Sequence, residues 1–389
     1  MNSIPLNSAS SFAALQKKFG SPIKITHLLV GLDWGGAERL LLDSLPLIRE
    51  KGFDVEVVAL GKDGPIGKAM RERALKVEVL GKSGLSAALP WNLYNHLRKR
   101  RPNILHTHLF WPGILGRVIA HFTGVPCIIS HEHYYMKTGW NARRFVESCS
   151  YRWADGIVAV SKAVLESRHS YIRRKTTAEV IPNGINLSEI CSASDRNKAR
   201  VELGVGEKSF VIGWVGRMDD DWKDLTTLLK AAAIVYRSAP DALWVLIGDG
   251  PDAVKLKDKA EKLGVKDVVR FLGVRSDVRR LYVGMDLLVL PSRSEGFSLV
   301  LVEAMASSLP VIASNIGGIP EVVENCVNGI LVEVGDAEAI AANVESLFRD
   351  QEQRSRMGEN GKRSAYEKFG IEKYLENLIT FYWKTASKI

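Results

Sequence analysis

The sequence predicts an α/β protein built on two doubly wound parallel sheets. Short β-rich runs alternate with helical stretches from Ile23 onward, a pattern that gives parallel strands covered by helices. The same alternation restarts at Phe210, after a polar stretch. The length points the same way: 389 residues are too many for one ordinary core, so two domains of roughly 180 residues each are expected.

Composition narrows the class. With 46% hydrophobic and 25% charged residues, the chain has material for two large cores. No apolar run approaches the ~18 residues that a membrane span needs. Residues 1–22 are Ser/Asn-rich, with Lys17 and Lys18 behind a short apolar patch, and read as a loose cytoplasmic tail rather than an export signal. Cys127, Cys149, Cys191 and Cys326 lack CxxC spacing, which argues for reduced cytosolic thiols and against a zinc knuckle. Residues 1–190 carry 26 Lys+Arg against 15 Asp+Glu, a net +11, and the remainder carries −2. Arg98-Lys99-Arg100-Arg101 and Arg173-Arg174-Lys175 supply most of the clustering. Such runs are either solvated helix ends or a surface that meets an anionic membrane leaflet or a phosphate-bearing acceptor. Nothing beside them resembles a nucleic-acid fold, so nucleic acid is not an expected partner.

Ile23–Val30 is an apolar strand ending at Gly31. After it, Gly35-Gly36-Ala37-Glu38 leads into Arg39–Glu50, whose leucines suit a helix buried along one face. A strand, glycine turn and helix let backbone approach a phosphate, although a plain tight turn reads the same way. Val55–Leu60 and Val77–Leu80 are further strands. Two strand ends then each carry H-x-H: His106 and His108, then His131 and His133. Residues i and i+2 share a strand face, so each pair suits hydrogen-bonded structural histidines, a metal site, or contact with a reacting molecule. Tyr134-Tyr135-Met136 and Trp140 form an aromatic loop suited to a sugar face, a lipid or edge packing. Phe145–Ala154 reads as helix and Gly156–Val160 as strand, and Val180–Ile185 breaks into a turn. The polar stretch at 186–207 marks the domain boundary, giving domains of 23–190 and 205–369.

In the second half, Phe210–Val215 closes on Gly216-Arg217 and runs into Met218–Asp224, with Asp224 the N-cap of the next helix. Arg217 and Lys223 flank one loop, where two cations can converge on a diphosphate. Asp219-x-Asp221 has the look of a metal motif, but acids before a helix more simply favour its start. Gly248–Ala253 matches GxGxxA, yet the acid inside it and the missing acid after the next strand argue against a dinucleotide site.

Pro291–Glu324, PSRSEGFSLVLVEAMASSLPVIASNIGGIPEVVE, is the most informative stretch. A buried strand, Leu287–Leu290, hands over at Pro-Ser to a loop carrying Glu295. Glu303 follows eight residues later in a helical segment, Ser298–Ser307. Free amides of Phe297, Ser298, Leu299 and Val300 at that helix start can receive an anion. Phosphate is the obvious anion, and the carboxylates suit hydroxyls, which together describe a sugar nucleotide. Two lone helix-start acids would read more simply as macrodipole partners.

This stretch resembles, almost position by position, the C-terminal signature of the glycosyl transferases group 1, or family 4. The resemblance extends over roughly Ile23–Phe369, including GGAE, VSKAV and IPNGI in the first half. It implies two Rossmann-like domains facing a central cleft, the GT-B fold, with the final segment, 370–389, crossing back to the first domain. It also implies a retaining, metal-independent transfer of a sugar from a nucleotide-diphosphate sugar, a substrate rather than a cofactor, to a saccharide or lipid-linked acceptor in cell-surface polysaccharide, lipopolysaccharide or glycolipid assembly. By this likeness Glu295 faces the transferred sugar, Glu303 holds the ribose, and Arg217 and Lys223 neutralise the leaving diphosphate. Gly35 and Gly36 approach the donor, and Gly250 and Val274 line the base. The sugar-facing histidine is His133, with His131 equally compatible by spacing, and His106, His108, His131 and Tyr134 are placed toward the acceptor. The family usually has glycine where this chain has Asp224. Expected surroundings are the cytoplasm and the inner membrane face. A metal-dependent hydrolase on the two H-x-H pairs and a non-catalytic sugar-nucleotide module are the competing readings.

Overall fold

The computed structural model describes residues 8–81, 87–135, 142–168, 170, 172–191 and 193–389. The chain divides into two compact units, one of Met1–Gly184 with Ile371–Ile389 and one of Ile185–Gly370. Unit 1 runs α1 (Ser8–Phe19), β1 (Ile23–Leu29), α2 (Gly36–Glu50), β2 (Phe53–Ala59), α3 (Pro65–Glu72), β3 (Lys76–Val79), α4 (Leu89–Arg100), β4 (Ile104–His108), α5 (Phe110–Thr123), β5 (Cys127–Glu132), α6 (Ala142–Ser150), β6 (Gly156–Ala159), α7 (Lys162–Glu166) and β7 (Thr177–Val180). Its seven strands are parallel in the order β3-β2-β1-β4-β5-β6-β7.

Unit 2 runs α8 (Arg196–Leu203), β8 (Phe210–Val215), α9 (Asp220–Lys223), α10 (Leu225–Ser238), β9 (Ala242–Ile247), α11 (Ala253–Lys262), β10 (Val269–Gly273), α12 (Val278–Leu281), β11 (Leu287–Leu290), α13 (Leu299–Ala306), β12 (Val311–Ser314), α14 (Ile319–Val322), β13 (Ile330–Val332), α15 (Ala337–Arg349) and α16 (Gln351–Lys368). Its parallel order, β10-β9-β8-β11-β12-β13, is the dinucleotide-fold order, which reverses direction beside its first strand. Both sheets therefore have a switch point, β1/β4 and β8/β11, where ligands settle at the carboxyl ends of such strands.

Two features of the domain layout differ from the sequence reading. Ser8–Phe19 is a helix, not a tail: Leu15 is fully buried, Phe12 and Phe19 pack on the same core, and Lys18 Nζ donates to Ala386 O at 2.6 Å. The partner of this helix is α17 (Ile371–Ala386), which belongs to unit 1. That long-range match is invisible locally. The polar stretch after residue 190 is part of unit 2, because Arg196 and Arg200 both pair with Asp286 at the start of β11 (2.5 and 3.4 Å). The division falls at Gly184, just ahead of the expected stretch at 186–207.

Candidate functional site

At the carboxyl end of β11 the chain emerges through Pro291 and Ser292 into the loop of Glu295. Ser298 caps α13, its Oγ accepting from Leu301 N at 3.4 Å. No backbone carbonyl among the described residues accepts from the amides of Phe297, Ser298, Leu299 or Val300. These four donors and the helix dipole make a positive helix end two residues after Glu295 in the chain.

Glu295 is held by two side chains. Ser292 Oγ lies 3.1 Å from Oε1, and Lys223 Nζ donates to the same oxygen in an ion pair. Lys223 ends α9, and the next residue turns left-handed, with Asp224 at φ 48°. That conformation favours glycine, and Asp is among the few other residues that tolerate it. Asp224 makes the departure useful: its carboxyl caps α10 at Thr227 N (3.4 Å) and pairs with Arg293 Nη2 (2.8 Å). Arg293 N also donates to Trp222 O at 2.9 Å. The loops after β8 and β11 are thus tied together twice, fixing Lys223 against Glu295.

Arg217 lies in the turn leaving β8, exposed, and its side chain has no partner among the described residues. The turn itself is rigid because Gly248 and Gly250 let two loops touch: a Cβ on Gly250 would stand 2.4 Å from Met218 O, and Met218 N donates to Asp249 O at 2.9 Å. This packing explains the GxGxxA match without a dinucleotide. Asp219 precedes α9 and Asp221 lies in its first turn, as acids at a helix start do. Val274 follows β10 and is 54% exposed.

Glu303 sits farther along α13, 8% exposed. Its Oε1 accepts from Arg279 Nε at 2.8 Å and its Oε2 from Tyr282 Oη at 3.3 Å. Neither Arg279 nor Tyr282 stood out in the sequence, since a short helix between two strands carries no motif.

Unit 1 gathers imidazoles. In the parallel register His27 of β1 lies beside His106 of β4, and His108 beside His131 of β5, so with His133 five rings form one cluster. His27 Nδ1 is 3.1 Å from His108 Nε2, and His108 Nδ1 is 3.0 Å from His133 Nε2. His106 Nδ1 meets Tyr382 Oη of α17 at 2.7 Å. The rings of His131 and His133 stack with centroids 4.2 Å apart. Burial drives every one toward the neutral form: His27 falls to about 3, His133 to about 4, and His106, His108 and His131 fall well below the ordinary 6.5, their mutual repulsion adding to the effect. Candidate ligand nitrogens within the trios His27/His106/His108 and His108/His131/His133 lie within 4.8 Å of one another, but three of the rings are engaged in an imidazole–imidazole file.

This placement revises the expected acceptor contacts. His106, His108 and His131 are fully buried and present no surface to a bound molecule, whereas His133 is partly exposed. Tyr134 is half-buried like His133; its Oη donates to Glu147 at 3.3 Å, and the Arg168 guanidinium lies 4.8 Å from its ring centre. Beneath it, on the opposite face of β5 from the histidines, Glu132 pairs with Arg168 at 3.3 Å. Burial, with Glu132 nearby, lifts Glu147 to about 7. Met136 and Trp140 lie outside the described residues. His27 escaped the sequence reading because one histidine in an apolar strand signals nothing until register supplies its neighbours.

Gly35 is the N-cap of α2 in an extended conformation, φ −154°, so its lack of a side chain matters for space. A Cβ there would stand 2.2 Å from Glu38 Oε2. The Glu38 carboxyl folds back over the Gly35-Gly36 turn, and burial, with Asp33 adding to it, raises its pKa to about 7. In the basic run, Arg100 is structural, pairing with Asp54 at 2.8 Å and Glu56 at 3.3 Å. Arg98, Lys99 and Arg101 remain exposed. On the same helix Trp91 is 65% exposed and stacks on Tyr94 at 5.7 Å.

Comparison with known proteins bears on the family and the fold. Residues 195–364 match the family described as Glycosyl transferases group 1, and residues 34–189 match Glycosyltransferase Family 4. The chain is 28% identical over 390 residues to the UDP-Gal:alpha-D-GlcNAc-diphosphoundecaprenol alpha-1,3-galactosyltransferase of Escherichia coli, covering 94% of this chain and 98% of that protein. It is 26% identical to the capsular polysaccharide biosynthesis glycosyltransferase CapM of Staphylococcus aureus, covering 88% and 93%. Among solved structures, Anabaena HepE in complex with UDP-glucose superposes with a TM-score of 0.83 at 25% identity, covering 94% of this chain and all of that one. WaaG, a glycosyltransferase involved in lipopolysaccharide biosynthesis, shares the fold with a TM-score of 0.73 at 17% identity, covering 91% and 98%. Family membership decides for a transferase over the hydrolase and the binding module: the chain belongs to the group 1 glycosyltransferases and has the GT-B fold of two Rossmann-like domains.

Proposed function

We propose that this enzyme transfers a hexosyl group, with retention of anomeric configuration, from a nucleotide-diphosphate sugar to a saccharide or lipid-linked acceptor in cell-surface polysaccharide, lipopolysaccharide or glycolipid assembly. The observation that carries the reading is the Lys223–Glu295 ion pair beside the free amides of α13. The E. coli relative is named for a UDP-Gal donor, a diphosphoundecaprenol acceptor and an alpha-1,3 product, and HepE binds UDP-glucose. A UDP-hexose and a polyprenyl-diphosphate saccharide are therefore the favoured substrates.

The diphosphate sits at the α13 N-terminus, with Arg217 and Lys223 as its cations. As the bond from the anomeric carbon to the leaving phosphate oxygen breaks, a full negative charge develops on the nucleoside diphosphate. Preorganised cations and amides there stabilise the transition state, each such donor contributing about 10²–10³ in rate. They supply the positive charge that a divalent cation would otherwise bring, so no metal cofactor is needed. Glu295 orients Lys223 and accepts hydroxyls of the transferred sugar, while Glu303 accepts those of the ribose. The acceptor oxygen bonds to the anomeric carbon on the face that the phosphate leaves, and its proton passes to the departing phosphate.

Four unpaired cysteines suit a cytoplasmic enzyme, and no helix among the described residues is long and apolar enough to cross a membrane. Trp91, Arg98, Lys99 and Arg101 on and just after α4 favour peripheral contact with the anionic inner leaflet, the aromatic ring anchoring and the cations attracting. The test of the donor class is a calorimetric titration with UDP-, GDP- and ADP-hexoses, with and without a chelator. Saturable binding of one sugar nucleotide and chelator-insensitive transfer are expected, and absence of binding to all three would overturn the reading.

A further inference from the structure

Arg279 is the most heavily engaged cation near the donor carboxylates, and none of the transfer steps above uses it. It lies on α12, 8% exposed. Its guanidinium bridges two acids: Nε donates to Glu303 Oε1 at 2.8 Å, and Nη1 donates to Glu189 Oε2 in the 3₁₀ turn Leu187–Glu189. One turn on, Tyr282 Oη reaches the other oxygen, Glu303 Oε2, at 3.3 Å. Glu303 is thereby held from one side at both oxygens.

A carboxylate offers about four lone-pair sites. Arg279 and Tyr282 occupy one on each oxygen, which leaves one free on each. Two acceptor sites at carboxylate spacing match the two O–H donors of a vicinal diol. We propose that Arg279 is a positioning residue that locks Glu303 as a two-oxygen acceptor for the ribose 2′- and 3′-hydroxyls, and so makes the donor site select ribonucleotides over 2′-deoxyribonucleotides. The proposal rests on the reading of Glu303 as the ribose contact. Arginine suits this because its planar fork serves two carboxylates in fixed directions, whereas lysine places one point charge. Glu189 anchors the far end of the fork, keeping the guanidinium plane from rotating when a ribose arrives.

The test is calorimetric titration of the full chain with UDP, GDP and ADP and with their 2′-deoxy counterparts. For the nucleotide that binds best, the wild-type protein should prefer the ribo form by about tenfold or more, as expected when a hydrogen bond to a charged group is lost. In Arg279→Gln and Arg279→Lys the ribo form should weaken to nearly the level of the deoxy form, with the deoxy affinity changed less than about twofold. Tyr282→Phe should give a smaller loss of the same ribo-selective kind. In transfer assays the Arg279 variants should raise the donor KM and leave kcat nearly unchanged, since the anomeric carbon is not touched. Equal weakening of ribo and deoxy forms, or an intact preference in both Arg279 variants, would overturn the role of Arg279 alone. A wild-type protein that binds both forms equally would remove the ribose role of Glu303 and this proposal with it. Should Arg279→Gln fail to fold, Arg279→Lys and Tyr282→Phe still decide.

Discussion

Lys223 and Glu295 come from segments 72 residues apart in sequence, yet the ammonium rests on the carboxylate because Asp224 and Arg293, one and two residues from them, clamp those segments together. The pair leaves each partner half engaged. Lys223 keeps further N–H donors, for a diphosphate on the proposed reading, and Glu295 keeps its second oxygen, which no described side chain contacts, for the sugar hydroxyl of that reading.

Removing the cation should therefore damage transfer more than binding. Lys223→Met is expected to lower kcat by about 10²–10³, the range for loss of one preorganised charge-stabilising donor. Binding of the sugar nucleotide should fall less than about tenfold, because the α13 amides and Arg217 remain. Glu295→Gln should follow the same split. Steady-state kinetics beside calorimetry check it, and equal loss of binding and kcat would contradict it.

Arg217 is exposed and unpartnered among the described residues, so Arg217→Ala should cost activity without cost in stability. The melting temperature should stay within about 2 °C, as for surface positions generally, while kcat falls by about 10². A matched drop in melting temperature would mean that the guanidinium serves the fold.

The histidine file predicts an effect at a distance. His108 touches no surface but holds His133 Nε2 at 3.0 Å. On the proposed reading, in which Arg217, Lys223 and Glu303 meet the donor's phosphates and ribose, His108→Leu should lower kcat for transfer while leaving nucleotide binding within about twofold. Unchanged kcat would leave the file a packing feature only.

The same cluster fixes a pH dependence. The five histidines have folded pKa values below 6.5, so their neutral burial is fully stabilising above the unfolded value and is lost as pH falls below it. Glu38 and Glu147, raised from 4.5 to about 7, act oppositely, stabilising at low pH and less as pH rises toward 7. Between pH 4.5 and 6.5 the five histidines outnumber the two carboxyls, so on balance unfolding takes up protons. Urea midpoints at pH 7.5, 6.5 and 5.5 should fall progressively with acid below 6.5. A flat profile would contradict the buried, neutral cluster.

Much of this was legible before any coordinates. The restart of the strand–helix alternation at Phe210 pointed to two sheets, and the eight-residue spacing of Glu295 and Glu303 on either side of a helix start pointed to the candidate site. Asp224 was readable as a cap because Asp before an apolar helical run has few other uses. What escaped was whatever depends on register or on distant pairing. His27 joins the cluster only through its parallel alignment with His106. Arg279 finds Glu303 and Glu189 only once α12, α13 and the first turn of unit 2 are folded. Ser8–Phe19 looked like a tail since its partner helix lies at the other end of the chain, and Arg100 looked like part of a free basic run until Asp54 and Glu56 came beside it.

The most direct test of the account is NMR determination of the anomeric configuration in the product formed from an α-linked UDP-hexose, or from whichever sugar nucleotide the titrations select. An α-linked product, with the configuration of the donor preserved and the yield unaffected by chelator, is the predicted result. A β-linked product would contradict same-face transfer at the Lys223–Glu295 site.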